Sequence, residues 1–285
     1  MSQPLIRAMT AADVDAATDL IVREDWGDRR TWFEFVTSQP ACRPIVAELD
    51  GVLVGTGVGT ANGSVGWVGT IFVAGAERRR GFGRALTEAV CDELAAAGCR
   101  TLILVSTTEG LPLYESLGFE PETHYRILEA AGRPLSQSPP EAAGGGPVVR
   151  PFRPDDLAAM VALDRTATGE DRAHALRRFA TPASSTVLER ADGTIAGFVV
   201  RAPWGGGATI APDPDDAVRI LEARRIAAGP GGRVRVGLVD ENIAGLARLE
   251  GEGLHPVWSA PRLVRGEPLE WRPDWIWGQF NHAMG

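Results

Sequence analysis

The run Ile71-Phe72-Val73-Ala74-Gly75-Ala76-Glu77-Arg78-Arg79-Arg80-Gly81-Phe82-Gly83-Arg84-Ala85-Leu86 joins an apolar stretch, a glycine- and arginine-rich turn and a helix-forming segment. Two glycines separated by one residue let the backbone bend closely around an anion. The amides ahead of the first helical turn have no intrahelical partner and point outward, and the helix dipole adds positive potential at that end. Arg78, Arg79, Arg80 and Arg84 raise the potential further. Such a turn suits a pyrophosphate. A merely solvated arginine cluster at the positive end of a helix would oppose the dipole without compensation.

The rival anion motifs fail on residues. A dinucleotide fingerprint beginning at Gly81 would need a third glycine where Leu86 stands, and one beginning at Gly55-Thr56-Gly57 would need it at Thr60. All 29 basic residues are Arg and none is Lys, which excludes a P-loop lysine, a Schiff-base lysine and a lysine general base. The chain has 285 residues, a net charge of −8 and no basic block, so no nucleic-acid partner is expected. Three cysteines (Cys42, Cys91, Cys99) form no even disulfide framework and read as reduced thiols. Four scattered histidines lack metal-ligand spacing, so no metal is expected. With no long apolar run and no signal-like start, the chain reads as a cytoplasmic protein without a membrane partner.

The turn needs a strand before it and a helix after it. Val65–Val73 reads as that strand. Phe82 to Ala97 reads as that helix, with a Phe82, Leu86, Val90, Leu94 ridge at four-residue spacing and Gly98 as its stop. Around them the pattern predicts a strand (Leu5–Met9), helices (Ala11–Arg23, Arg29–Thr37), a hairpin (Ile45–Leu49 and Val52–Thr60) turning at Asp50-Gly51, a strand (Thr101–Val105), a short helix (Leu111–Leu117) and a last strand (Thr123–Leu128). This is an α+β arrangement, a mixed and mostly antiparallel sheet flanked by helices.

The segment 130–147 is rich in Pro, Gly, Ser and Ala and reads as a linker between domains at 1–129 and 148–285. The two parts begin alike. Ile6-Arg7, Asp13-Val14 and Leu20 match Val149-Arg150, Asp156-Leu157 and Leu163 at one fixed offset. Asp50-Gly51 with Gly55 is echoed by Asp192-Gly193 with Gly197. The pair of echoes points to a duplicated unit.

Arg78-x-x-Gly81-x-Gly83-x-Ala85, after a strand ending in Val73, resembles motif A of the GNAT superfamily of acetyl-CoA-dependent N-acetyltransferases. Tyr114-Glu115-Ser116-Leu117-Gly118-Phe119, about thirty residues on, resembles that superfamily's motif B. The resemblance covers roughly residues 4–129 and extends, through the echoes, to a tandem arrangement of two GNAT-like domains.

The resemblance implies that the sheet splays open between the strands ending at Val73 and Val105. The pantetheine arm of acetyl-CoA would pair with Ile71, Phe72 and Val73, and Arg78, Arg79, Arg80, Gly81, Phe82, Gly83 and Arg84 would form the pyrophosphate cradle. It implies Tyr114 as the acid that protonates the departing thiolate. Thr107 stands where many members carry a cofactor-contacting Asn. Trp67-Val68-Gly69-Thr70 offers no Glu to act as base, which leaves water or an acid such as Asp25, Glu34 or Glu109.

In the second half the corresponding stretch reads Thr209-Ile210-Ala211-Pro212-Asp213-Pro214-Asp215-Asp216-Ala217-Val218. Two prolines remove amides and three aspartates repel a pyrophosphate. This half is expected to be a degenerate copy that shapes an acceptor pocket or an interaction surface. Gly169-Glu170-Asp171-Arg172 reads either as a site for a cationic acceptor or as acids at a helix start, and Trp271, Trp275, Trp277 and Phe280 as a sealing element. The expected activity is transfer of acetyl from acetyl-CoA to a primary amine on a small molecule. A CoA-binding sensor without turnover is the alternative, and O-acyl transfer or a longer acyl donor stays open.

Overall fold

The computed structural model of the chain describes residues 3–135 and 146–285. Residues 136–145 of the expected linker lie outside the described residues. The chain divides into two compact units. One comprises the described residues up to Pro121 with Leu263–Pro268 and His282–Gly285; the other comprises Glu122–Arg262 and Leu269–Asn281. This differs from a linear division at 129 and 148. The expected linker start at 130 is also corrected, because strand structure continues through Ala131.

The first unit runs β1 (Leu5–Ala8), a 3₁₀ turn, α1 (Val14–Val22), α2 (Arg30–Ser38), β2 (Cys42–Leu49), β3 (Val52–Asn62), β4 (Val65–Val73), α3 (Phe82–Ala96), β5 (Thr101–Val105) and α4 (Leu111–Glu115), and leads into β6 (Glu120–Ala131). Its strands lie in the order β1-β2-β3-β4-β5, antiparallel except for the parallel β4–β5 pair. Asp50 and Gly51 both have positive φ, 50° and 82°, as a two-residue hairpin turn requires.

The α3 ridge lies on this sheet as its spacing predicts. Phe82, Leu86, Val90 and Leu94 are buried with Ile45, Ala47, Val54 and Val68, and each of the four ridge side chains is worth about 1.5–3 kcal/mol of hydrophobic stabilisation. The helix sits close because β3 presents Gly55, Gly57 and Gly59 to it. A Cβ at these positions would lie 2.8 Å from Leu86, 3.0 Å from Val90 and 3.0 Å from Leu94. The Gly55-Thr56-Gly57 run is therefore a packing device.

The second unit repeats the order with β7 (Val148–Pro151), α5 (Leu157–Thr168), α6 (Ala173–Phe179), β8 (Ser185–Glu189), β9 (Ile195–Arg201), β10 (Gly207–Ile210), α7 (Pro214–Ala228), β11 (Arg233–Val239), α8 (Ile243–Gly251) and β12 (His255–Gly266), of which the part up to Arg262 belongs to this unit. It adds β13 (Ile276–Gly278). Five strands follow the order β13-β10-β9-β8-β7, and β6 pairs antiparallel with β11. The core gathers Leu188, Val199, Ile220, Leu221, Leu238, Leu249 and Trp277.

Candidate active site

In the first unit, β4 pairs with β5 only at Val65↔Thr101, Gly66↔Leu102 and Trp67↔Ile103. β5 ends at Val105, whereas β4 continues to Val73. The two strands part beyond Trp67, which makes the splay the resemblance implies. Ile71, Phe72 and Val73 form the end of β4 that stays paired with β3 and lacks β5 on its other side. Phe72 turns its ring into the unit, where it is buried and meets Trp26 edge-on at 5.2 Å, so only its backbone is offered to the splay.

Beyond Val73 a 3₁₀ turn (Gly75–Glu77) leads to two residues in the left-handed region, Arg79 (φ 63°) and Gly81 (φ 88°). Such turns direct successive amides into one concavity, and Gly81 caps α3. Phe82 buries its side chain, so only its backbone is left at the turn. At Gly83 the nearest atoms to a Cβ would be Leu113 Cδ2 at 3.6 Å and Val73 Cγ2 at 3.9 Å, so the fold itself does not demand a glycine there.

The arginines are less free than a count of charges suggests. Arg78 donates from Nε to the Val73 carbonyl (3.0 Å) and pairs with Glu24 (3.2 Å). Arg80 pairs with Glu77 and lies over the Phe82 ring, and Arg84 pairs with Glu88 (3.5 Å) and donates to Ser116 Oγ (2.6 Å). Among the described residues Arg79 has neither ion pair nor hydrogen-bond partner for its side chain. These exposed pairs are worth at most about 1 kcal/mol each, so an incoming phosphate can replace the carboxylates. Glu24, which the sequence did not single out, also accepts the Gly75 amide at 2.9 Å. It looks in sequence like its exposed neighbour Asp25 and is distinguished only by reach.

Tyr114 stands on α4, its ring edge-on to Phe119 at 6.2 Å and against Gly110. Burial, with a smaller contribution from Cys91, pushes its phenol up to about 12. Among the described residues its hydroxyl has no hydrogen-bond partner. Thr107 is engaged locally: its hydroxyl accepts the Gly110 amide at 3.2 Å, closing the turn that opens α4. Of the suggested bases, Asp25, Glu34 and Glu109 are all exposed. The sequence reading did not anticipate that His282–Gly285 join the first unit. The Thr60 hydroxyl donates to the Ala283 carbonyl (2.9 Å), the Asn62 amide donates to that of Met284 (3.0 Å), and Ala283 packs against Gly69. Burial pushes His282 down to about 4 and keeps its imidazole neutral near pH 7.

In the second unit the equivalent of the splay is filled by β13. Thr209 and Ile210 of β10 pair with Gly278 and Ile276. Trp277 donates to the Ala211 carbonyl at 3.0 Å, and Gln279 donates to the Gly237 carbonyl of β11 at 3.3 Å. The start of α7 is capped by Asp213, whose carboxylate accepts the Asp215 amide at 2.8 Å. Glu170 and Arg172 are buried inside this unit, Arg172 gripping Asp164, while Asp171 pairs with Arg165 and accepts the Ala173 amide at the start of α6. Trp277 and Phe280 are core residues; Trp271 and Trp275 are half-buried. Among the described residues no cluster of three metal-ligating side chains occurs, and no helix is long and apolar enough to cross a membrane.

A family model described as acetyltransferase (GNAT) family matches residues 9–119, and one described as acetyltransferase (GNAT) domain matches residues 160–278. The N-acetyltransferase YitH of Bacillus subtilis, itself uncharacterized, is 28% identical over 226 residues, 76% of each chain. The fold is similar to that of a candidate acetyltransferase from Pyrococcus horikoshii (TM-score 0.81, 22% identity, 100% of this chain and 97% of that one). It is also similar to a tandem GNAT protein from the clavulanic acid biosynthesis pathway (TM-score 0.63, 16% identity, 93% and 99%). With matches to both halves and the motif-bearing turn in the first, the chain belongs to the GNAT acetyltransferases, as a tandem member and an acyltransferase enzyme.

Proposed function

We propose that the first unit transfers the acetyl group of acetyl-CoA to a primary amine of a small molecule, and that the second unit binds no cofactor. The observation that carries this reading is the parting of β4 from β5 beyond Trp67, directly ahead of the Arg79–Gly81 turn. Ile71–Val73 would pair with the pantetheine arm. The amides from Arg79 to Arg84, with the free Arg79 guanidinium, would hold the pyrophosphate. Acetyl-CoA supplies an activated thioester.

The neutral amine attacks the thioester carbon, the C–S bond breaks and the amide bond forms. The nitrogen sheds a proton and the departing sulfur needs one. Tyr114 is the donor at the sulfur. Because burial raises its pKa, its phenolate is costly, by about 1.4 kcal/mol per unit. Tyr114 therefore acts by donating its hydroxyl to the forming thiolate and passes on the proton released by the amine. No carboxylate on β4 is needed if the amine arrives unprotonated.

Calorimetric titration with acetyl-CoA, followed by a thiol-release screen of amines, tests this. One site per chain with amine-dependent thiol release is expected. Binding without turnover on any amine would favour a CoA sensor, and no binding would refute the assignment.

A further inference from the structure

β4 contains an irregularity that its sequence half discloses. Thr56 of β3 pairs with Phe72 and Val58 pairs with Gly69, so the single residue Gly57 faces two, Thr70 and Ile71. This is a β-bulge. It changes the alternation of the strand. Gly66 and Val68 face α3, and so do Ile71 and Val73, whereas unbroken alternation would turn the latter two away. The extra residue restores the core face and re-aims the segment Ile71–Val73.

The residue that absorbs the irregularity is Thr70, at φ 51°. A β-branched residue in the left-handed region costs on the order of 1–3 kcal/mol and persists only where its surroundings hold it. Two elements do so. The Thr56 hydroxyl of β3 donates to the Thr70 carbonyl at 2.9 Å, and the Trp32 indole N–H of α2 donates to the Thr70 hydroxyl at 3.0 Å. Trp32 and Thr56 are both buried, and Trp32 is further fixed by stacking on Phe35 at 5.9 Å. Rigid groups on two separate elements thus converge on one strained residue, immediately ahead of the strand end that leads to the anion-binding turn.

We propose that Trp32 is a positioning residue: through Thr70 it locks the β4 bulge and so fixes the backbone of Ile71–Val73 in the register that receives the cofactor's arm. The lock itself is a property of the free chain; the cofactor part rests on the function proposed above. Trp32 lies on another element and acts only through Thr70.

Two measurements on the full chain decide it. Hydrogen exchange of the amides at Ile71–Val73 should quicken about tenfold in Trp32→Phe, which keeps an aromatic ring and loses the N–H donor. The Kd for CoA should rise about tenfold, whereas the Kd for 3′-phospho-ADP, which has the diphosphate and no pantetheine arm, should stay within twofold. Thr70→Ser keeps the accepting hydroxyl and should match wild type in both. Thr70→Gly tolerates the positive φ, removes the same hydrogen bond without touching α2, and should behave like Trp32→Phe; it serves if the latter misfolds. Unchanged exchange and CoA affinity, or equal weakening of both ligands, would overturn the proposal. A wild-type chain that binds neither ligand would instead refute the cofactor reading, and the exchange data would still decide the lock.

Discussion

Arg7 grips Asp13 through two hydrogen bonds, Nη1 to Oδ2 at 2.9 Å and Nη2 to Oδ1 at 2.8 Å, tying β1 to the turn that opens α1. Arg150 and Asp156 repeat the pair at 2.7 Å on both arms, and Glu48 and Glu189 each hold the arginine from the neighbouring strand. The same Asp accepts a backbone amide, from Thr10 in one unit and Arg153 in the other. Two members of this device, the Arg and the Asp, belong to the sequence echo that pointed to the duplication; the Glu does not.

The device makes a prediction about acid. The Arg7 guanidinium, assisted by the Thr10 amide, holds the Asp13 carboxyl well below the usual range, and Arg150 lowers Asp156 in the same way. A carboxyl with a depressed folded-state pKa stabilises above its unfolded value of about 4, and that contribution fades as pH falls toward the folded value. Asp13→Asn should cost about 1.5–3 kcal/mol at pH 7 in urea unfolding. The gap between variant and wild type should narrow clearly by pH 2. An equal gap at both pH values would show that the pair contributes by shape and not by charge.

Gly83 separates folding from binding. Its surroundings admit a side chain, and an acid in the first turn of α3 is favoured by the helix dipole. Gly83→Asp should therefore melt within about 3 °C of wild type. Its acetyl-CoA affinity should fall at least about a hundredfold, because the new carboxylate faces the pyrophosphate. Retained affinity in a calorimetric titration would place the pyrophosphate elsewhere.

Tyr114→Phe should lower kcat about a hundredfold, the usual scale of a lost proton donor, with KM for acetyl-CoA changed less than threefold. The pH profile adds a second check. With its pKa pushed up to about 12, Tyr114 stays protonated through the working range and cannot produce an alkaline fall in rate below about pH 11. Any limb between pH 7 and 10 should survive in Tyr114→Phe. Its disappearance would mean that the phenol titrates far lower than its burial implies.

Local signals carried most of the first unit. The ends of Val65–Val73 and Thr101–Val105 were readable because each apolar run is bounded by glycine or polar residues, and the α3 ridge was readable from four-residue spacing. Long-range partners were not. Nothing near Leu263 or Ala283 announces that these residues join the first unit, since strand pairing and tail docking depend on distant backbone. The bulge lies between these cases. Val68, Ile71 and Val73 break strict alternation in the sequence, but an extra residue and a misread strand end look alike until Trp32 is seen to hold Thr70.

Trp277 offers the sharpest test of the second unit. It is 2% exposed, donates to the Ala211 carbonyl at 3.0 Å and belongs to the strand that fills the space beside β10. Two separate obstacles thus stand against a second cofactor site: β13 in the splay, and Asp213 with Pro214 at the start of α7. Loosening the first should not remove the second. Trp277→Phe, which loses the N–H and leaves the Ala211 carbonyl short of a donor, should cost about 1–3 kcal/mol of stability. Trp277→Ala should cost about 3–5 kcal/mol. In calorimetric titration either variant that remains folded should bind one acetyl-CoA per chain, as wild type is expected to. A second site appearing in Trp277→Phe would mean that β13 alone silences this unit, and that the acidic helix start is no barrier to a pyrophosphate.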